Sequence, residues 1–121
     1  LIWVIIEIAL VFVLLSLPVS SFTDRTGLLH VLPIDKIVHV ILFGSLAWSF
    51  YCFFDHTTIQ ALKSVRVQAW AMIFCIVYGI AMEYYQKWYV PSRGFEVKDM
   101  IADAAGVLLA LPLYQLWKKR Q

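Results

Sequence analysis

Long apolar runs broken by short polar junctions set the pattern of this chain. The first runs from Leu1 to about Leu17, with Trp3 near its start and a single acid, Glu7. Pro18-Val19-Ser20-Ser21 ends it, and Ser20 to Leu32 reads as a loop with room for a short surface helix. Pro33 sets up the next helix, because proline suits a first helical turn, and the second run covers about Asp35 to Phe54. A polar connection from Asp55 to Arg66 leads to the third, Val67 to Trp88, whose core from Ala69 to Met82 carries no charge. Val90-Pro91-Ser92-Arg93-Gly94 is a turn, since the residue before proline is pushed out of helix and glycine relaxes the backbone. The last run, about Asp99 to Trp117, is closed by Lys118-Lys119-Arg120. Crossing the hydrocarbon of a bilayer takes about 20 residues, with a usable range of about 17–25. The pattern therefore predicts an all-α membrane protein, with four transmembrane helices in an up-down bundle forming one domain over residues 1–121.

Composition agrees. Hydrophobic residues make up 62% of the chain and charged residues 15%, against about 45–50% and about 25% in soluble domains. A soluble globule this small buries too little of its area to hide that much apolar surface, so lipid is the expected solvent. A net charge of +2 is too small to argue for nucleic acid, and no basic stripe interleaves with aromatics. Five Trp and six Tyr suit membrane interfaces, where the ring is apolar and its polar atom wet. Cys52 and Cys75 lie inside apolar runs and read as small hydrophobes, not as a disulfide framework. Leu1–Leu17 lacks the basic leader and cleavage site of a signal peptide. With no Met at its start, the sequence is expected to lack a short N-terminal piece.

Two polar clusters interrupt the hydrocarbon. One is Asp35-Lys36-x-x-His39; the other fills the junction from Glu83 to Gly106. Residues four apart share a helical face, so Asp35 and His39 stack about 6 Å apart along the axis, and Phe43 continues their stripe. Glu83 and Gln86 share a face on the third helix, as do Asp99 and Asp103 on the fourth. Gly106 follows three residues later and allows close backbone approach. An up-down topology brings all three pairs to one membrane surface. Ionisable groups within a span cost about 2.5–3.5 kcal/mol each and normally face the bundle interior.

Structural readings exist for each residue. Asp35 and Asp99 open helices, where a carboxylate caps free N–H groups. His39 can serve Asp35 as a hydrogen-bond partner. Glu83 and Asp103 lie deeper, and a salt bridge to Arg93, Lys36 or Lys98 is their structural explanation. Gln86 belongs to the candidate binding set, though it also reads as a simple helix linker. Trp88 and Tyr89 read as interface anchors, and Glu7 is placed near the opposite surface, outside the site. The functional readings are two. Arg93 and Lys36 can hold a phosphate or similar anion while His39, poised by Asp35, works as general acid or base with Glu83. Alternatively, Asp99, Asp103 and Glu83 gather a divalent cation through oxygen ligands. The spacing fits either; no P-loop, nucleophile elbow or metalloprotease motif is present.

Loops one and three share a side, and loop two shares the other with the termini. Arg25, Lys36, Lys87, Arg93 and Lys98 stand on the first side, and Lys63, Arg66, Lys118, Lys119 and Arg120 on the second. The count is even, but four of the first group sit in or beside acidic clusters, whereas the Lys-Lys-Arg tail has no acidic neighbour in sequence. This places the tail in the cytoplasm and the polar clusters on the outer face.

In order and spacing, Asp35-Lys36-x-x-His39 with Phe43, Glu83-x-x-Gln86, Arg93, and Asp99 with Asp103 and Gly106 resemble the VanZ-like family of small bacterial membrane proteins. The resemblance covers most of the chain from Asp35 to Gly106. The family's fourth block usually reads D-x-x-x-N-x-x-G; here Asp103 stands at the Asn position and adds a negative charge. The family is named for a protein giving low-level resistance to the glycopeptide teicoplanin. The resemblance thus implies a protein of the bacterial plasma membrane with a link to glycopeptide resistance. Three functions follow as expectations. The first is binding of an envelope lipid or glycopeptide-type headgroup. The second is enzymatic action on a lipid-linked, phosphate-containing substrate through His39, Glu83 and Asp99/Asp103, and the third is a purely structural fastening of helices.

Overall fold

The computed structural model describes residues 1–18, 34–91 and 93–120. The expected loop from Ser20 to Leu32, Pro33 as a helix opener, Arg25, and Ser92 within the turn lie outside the described residues. Among the described residues the regular structure is helical: α1 (Ile2–Leu15), α2 (Ile34–His56), α3 (Val65–Tyr89) and α4 (Val97–Lys118), with one 3-10 turn at Gln60–Lys63 between α2 and α3.

Three of these helices are long and apolar enough to cross a membrane: α2, α3 and α4, of 23, 25 and 22 residues. At 1.5 Å per residue they reach about 33–38 Å, more than the hydrocarbon thickness of about 30 Å. The fourth, α1, has 14 residues and reaches only about 21 Å. It stops short of the expected Leu17 for local reasons. Pro18 disfavours helical backbone at Leu17, and the Ser16 hydroxyl donates back to the Phe12 carbonyl at 2.6 Å, a bond that competes with helix continuation. At its other end, α3 starts at the Ser64 hydroxyl, which accepts from the Val67 N–H at 3.3 Å. Pro112 lies inside α4, as membrane helices tolerate where neighbours re-satisfy the backbone.

Contacts between helices give their directions. The first turns of α2 and α4 meet through Lys36 and Asp99, and their last turns through Asp55 and Lys118, so α2 and α4 run parallel. The end of α3 meets the start of α4 where the Glu96 N–H donates to Glu83, so α3 runs the other way. Gln86 near the end of α3 donates to the Leu15 carbonyl that ends α1, and the Tyr78 hydroxyl donates to the Ile8 carbonyl, aligning α1 with α3. The four helices alternate in direction.

Glycine lets α2 and α4 come together. A Cβ on Gly106 would overlap the Val40 carbonyl oxygen and lie 3.0 Å from the Gly44 nitrogen, so two backbones touch where a side chain would hold them apart. Below that crossing the pair is packed with Phe43, Leu46, Ala47 and Tyr51 against Val107, Ala110 and Tyr114. Tyr51 and Tyr114 stack at 5.5 Å between centroids.

The distribution of polarity is inverted relative to a water-soluble domain. Ile41, Trp70, Val77, Ile101, Leu108 and Leu113 face outward, whereas His39, Glu83, Gln86, Asp99 and Asp103 are buried. An outer surface of Leu, Ile and Val covering an ionisable interior is what a lipid solvent selects. Trp88 and Tyr89 are exposed at the end of α3. The Glu7 carboxylate accepts from the Ser45 hydroxyl at 3.3 Å, and Ser45 stands halfway along α2. Glu7 also shares a cavity with Ser49, Cys52 and His56, toward the end of α2 opposite the polar clusters.

Candidate functional site

The site lies where the first turns of α2, the last turns of α3 and the first turns of α4 converge. Its centre is His39, whose Nδ1 is 2.7 Å from Asp103 Oδ1; both residues are fully enclosed. This corrects the local pairing expected with Asp35. Sharing a helical face brings two side chains to the same side, but the imidazole points across to α4. Asp103 fits there because Gly79 of α3 leaves it room. A Cβ at Gly79 would lie 2.7 Å from Asp103 Oδ2.

Glu83 occupies the third wall. One oxygen, Oε2, accepts from the Glu96 backbone N–H at 3.1 Å, while Oε1 has no partner among the described residues. Asp103 Oδ2 and His39 Nε2 are likewise buried and unpartnered. The salt bridges expected from Glu83 and Asp103 to Arg93, Lys36 or Lys98 do not occur among the described residues. Lys36 and Arg93 are engaged higher up, and the acids meet an imidazole and a backbone N–H instead.

Above this floor lies a charged rim. The Lys36 ammonium is 2.5 Å from Glu96 Oε2, 2.7 Å from Asp99 Oδ1 and 3.8 Å from Asp35 Oδ2. Arg93 Nη2 is 3.4 Å from Asp35 Oδ1, a loose contact, and the buried Arg93 Nε has no partner. Asp99 stands in the first turn of α4, yet it is buried as the counter-ion of Lys36 and does not cap the helix. Asp35, in the first turn of α2, is the half-exposed partner of Arg93. Together, among the described residues, five carboxyl groups (Asp35, Glu83, Glu96, Asp99 and Asp103) face two permanent cations and one imidazole.

Of the residues expected in the site, Asp35, Lys36, His39, Glu83, Arg93, Asp99 and Asp103 are brought together. Gln86 is buried one turn beyond Glu83, but its amide donates to the Leu15 carbonyl at 2.9 Å and so serves α1. Two participants lie outside the candidate set, Glu96 of the polar junction and Gly79. Glu96 joins the floor to the rim through its N–H and its carboxylate; the signal was its position three residues after Arg93 and three before Asp99. Gly79 stands four residues before Glu83 on the same face. At the other end of the bundle, Lys118 and Tyr114 donate to Asp55 at 2.6 and 2.9 Å. The basic tail therefore does have an acidic neighbour, supplied by α2.

Donor atoms that could share a metal ion occur in two overlapping groups: Asp35, His39 and Asp99, and His39, Glu83 and Asp103, the atoms of each within 4.8 Å of one another. In the first, both carboxylates already face Lys36 or Arg93. In the second, neither does.

No curated protein and no solved structure matches the chain. The family model described as VanZ/LLP1 matches residues 2–118, which takes in all four helices and both polar clusters. The chain belongs to the VanZ/LLP1 family.

Proposed function

We propose that the chain is a four-span protein of a bacterial plasma membrane whose polar end binds the headgroup of an envelope lipid or glycopeptide-type ligand, with a link to teicoplanin resistance. The observation that carries this reading is Arg93. Its side chain is buried; among the described residues its Nε is unpartnered and its one ion pair, to Asp35, is long at 3.4 Å. A guanidinium with a free edge suits bidentate contact with phosphate or carboxylate, and an incoming anion would compete with a single half-exposed aspartate. Lys36 stands beside it as the second cation.

In this reading α1 is the fourth crossing, a short span accommodated by local thinning of the bilayer. The polar end faces outward and the C-terminus lies in the cytoplasm. Lys63, Arg66, Lys119 and Arg120 support that orientation. Among the described residues these four basic groups at the C-terminal side form no ion pair, against Lys87 and Lys98 at the other.

The test is binding of purified protein to vesicles containing phosphatidylglycerol, to a lipid-linked pyrophosphate and to teicoplanin. Binding to at least one should weaken tenfold or more in Arg93→Ala and recover in part in Arg93→Lys. Equal binding by wild type and Arg93→Ala to all three would overturn the reading.

A second reading is a membrane enzyme acting on a lipid-linked phosphate substrate, and it rests on the His39–Asp103 pair. A carboxylate that holds Nδ1 orients the ring and leaves Nε2 free to move a proton, with Glu83 beside it. Here His39→Ala would abolish turnover of the lipid-linked pyrophosphate while leaving binding intact. Unchanged turnover, or none in wild type, would remove this reading.

A further inference from the structure

We infer that His39, Glu83 and Asp103 form a binding site for one divalent first-row metal ion of the zinc or manganese class. Each residue offers a donor atom within 4.8 Å of the other two. All three side chains are buried beyond solvent reach. Among the described residues, each also retains an unpartnered atom: His39 Nε2, Glu83 Oε1 and Asp103 Oδ2. Buried carboxylate and imidazole atoms without partners are rare in folded proteins and call for an ion or another ligand.

Charge argues in the same direction. The two permanent cations of the cluster serve Asp35, Asp99 and Glu96. Glu83 and Asp103 are left with one backbone N–H and one imidazole between them. Two enclosed carboxyl groups that face no permanent cation among the described residues can take up one added positive charge.

The donor set selects the ion. One imidazole nitrogen with carboxylate oxygens suits zinc or manganese, whereas magnesium and calcium prefer all-oxygen shells. Donors sharing such an ion at about 2.0–2.2 Å lie nearer each other than 4.8 Å, so binding draws the three side chains together. Asp103 Oδ2 lies 2.7 Å from where a Cβ at position 79 would sit, and the acids of the rim, Asp35 and Glu96, are half-exposed above the floor. Asp103 supplies the third donor beside His39 and Glu83. The inference needs no headgroup above it.

The experiment uses the full chain, purified in detergent without a polyhistidine tag, stripped with a chelator, and supplied with Zn²⁺ or Mn²⁺. After removal of free metal, wild type should hold one ion per chain and unfold at a higher temperature than the stripped protein. Co²⁺ in its place should give the visible absorption of nitrogen and oxygen ligation. Glu83→Gln and Asp103→Asn should bind at least tenfold more weakly, and Asp55→Asn, at the far end of the bundle, should bind as wild type does. Failure of stripped wild type to retain either ion overturns the inference, as does equal retention by Glu83→Gln, Asp103→Asn and wild type. Should a variant fail to fold, metal retention and the Co²⁺ spectrum of wild type still decide.

Discussion

His39 and Asp103 are 64 residues apart in the chain and 2.7 Å apart in space, and the histidine takes this partner over Asp35, one turn away on its own helix. The pair is the polar link between α2 and α4 at the centre of the buried cluster. Removing one member of a buried, hydrogen-bonded ionisable pair typically costs about 3–5 kcal/mol, because the other is left uncompensated. His39→Ala and Asp103→Ala should each lower thermal stability in detergent on that scale. Asp103→Asn keeps an acceptor for His39 and should lose no more than about 1–2 kcal/mol. The double variant His39→Ala/Asp103→Ala should cost less than the sum of the singles; strict additivity would show that the two side chains do not act together.

Lys36 is the cation on which the rim depends. Asp99, 3% exposed, has the Lys36 ammonium as its counter-ion at 2.7 Å. Lys36→Met should therefore destabilise by about 3 kcal/mol or more, and adding Asp99→Asn should restore part of the loss. Thermal unfolding of the two variants side by side measures this; no rescue by the second substitution would break the assignment.

The exposed clasp at the opposite end should behave differently. Lys118 bonds Asp55 at 2.6 Å, but its side chain is 57% exposed. A surface pair contributes about 0–1 kcal/mol and is screened by salt. Asp55→Asn should shift the unfolding midpoint little, and any shift should shrink at high ionic strength.

Close approach of backbones gives a test by addition of a single methyl group. Gly106→Ala forces a carbon onto the Val40 carbonyl, a backbone atom that cannot rotate away, and should cost about 1–3 kcal/mol. Gly79→Ala pushes on the Asp103 carboxylate, so it should disturb the His39 environment specifically. The His39 ring resonances by NMR should move in Gly79→Ala and much less in Gly44→Ala, whose added carbon would have no neighbour nearer than 3.4 Å.

Gln86 anchors α1. Gln86→Leu removes the bond to the Leu15 carbonyl and leaves the His39–Asp103 pair untouched. Hydrogen exchange should rise along α1 and stay constant at the starts of α2 and α4; equal loosening of all helices would show that Gln86 belongs to the cluster after all.

Much of this organisation was legible in the order of residues. Length and apolarity mark α2, α3 and α4, and the spacings 35/39 and 99/103 place four polar side chains on inward faces. Pairing across helices was not legible. A spacing of four says which side chains share a face, but the direction of an imidazole is set by whatever stands opposite, and here that was space left by Gly79 for Asp103. Asp55 and Lys118 meet for a similar reason: α2 and α4 run parallel, so positions 63 residues apart come level only once both helices exist. The end of α1 depended on a single serine hydroxyl turning back on its own helix, a local competition that a count of apolar residues does not register.

The position of Lys36 has a consequence for how the protein is made. Its counter-ions, Glu96 and Asp99, emerge from the ribosome some sixty residues later, after α3 has been synthesised and threaded. Until then the ammonium has Asp35 beside it, 3.8 Å away, and both stay at the watery edge of the bilayer, where side chains at a helix end can snorkel. Arrival of α4 is thus the event that lets the earlier helices close around their charges, and a chain halted before Asp99 would leave the start of α2 exposed to quality-control proteases.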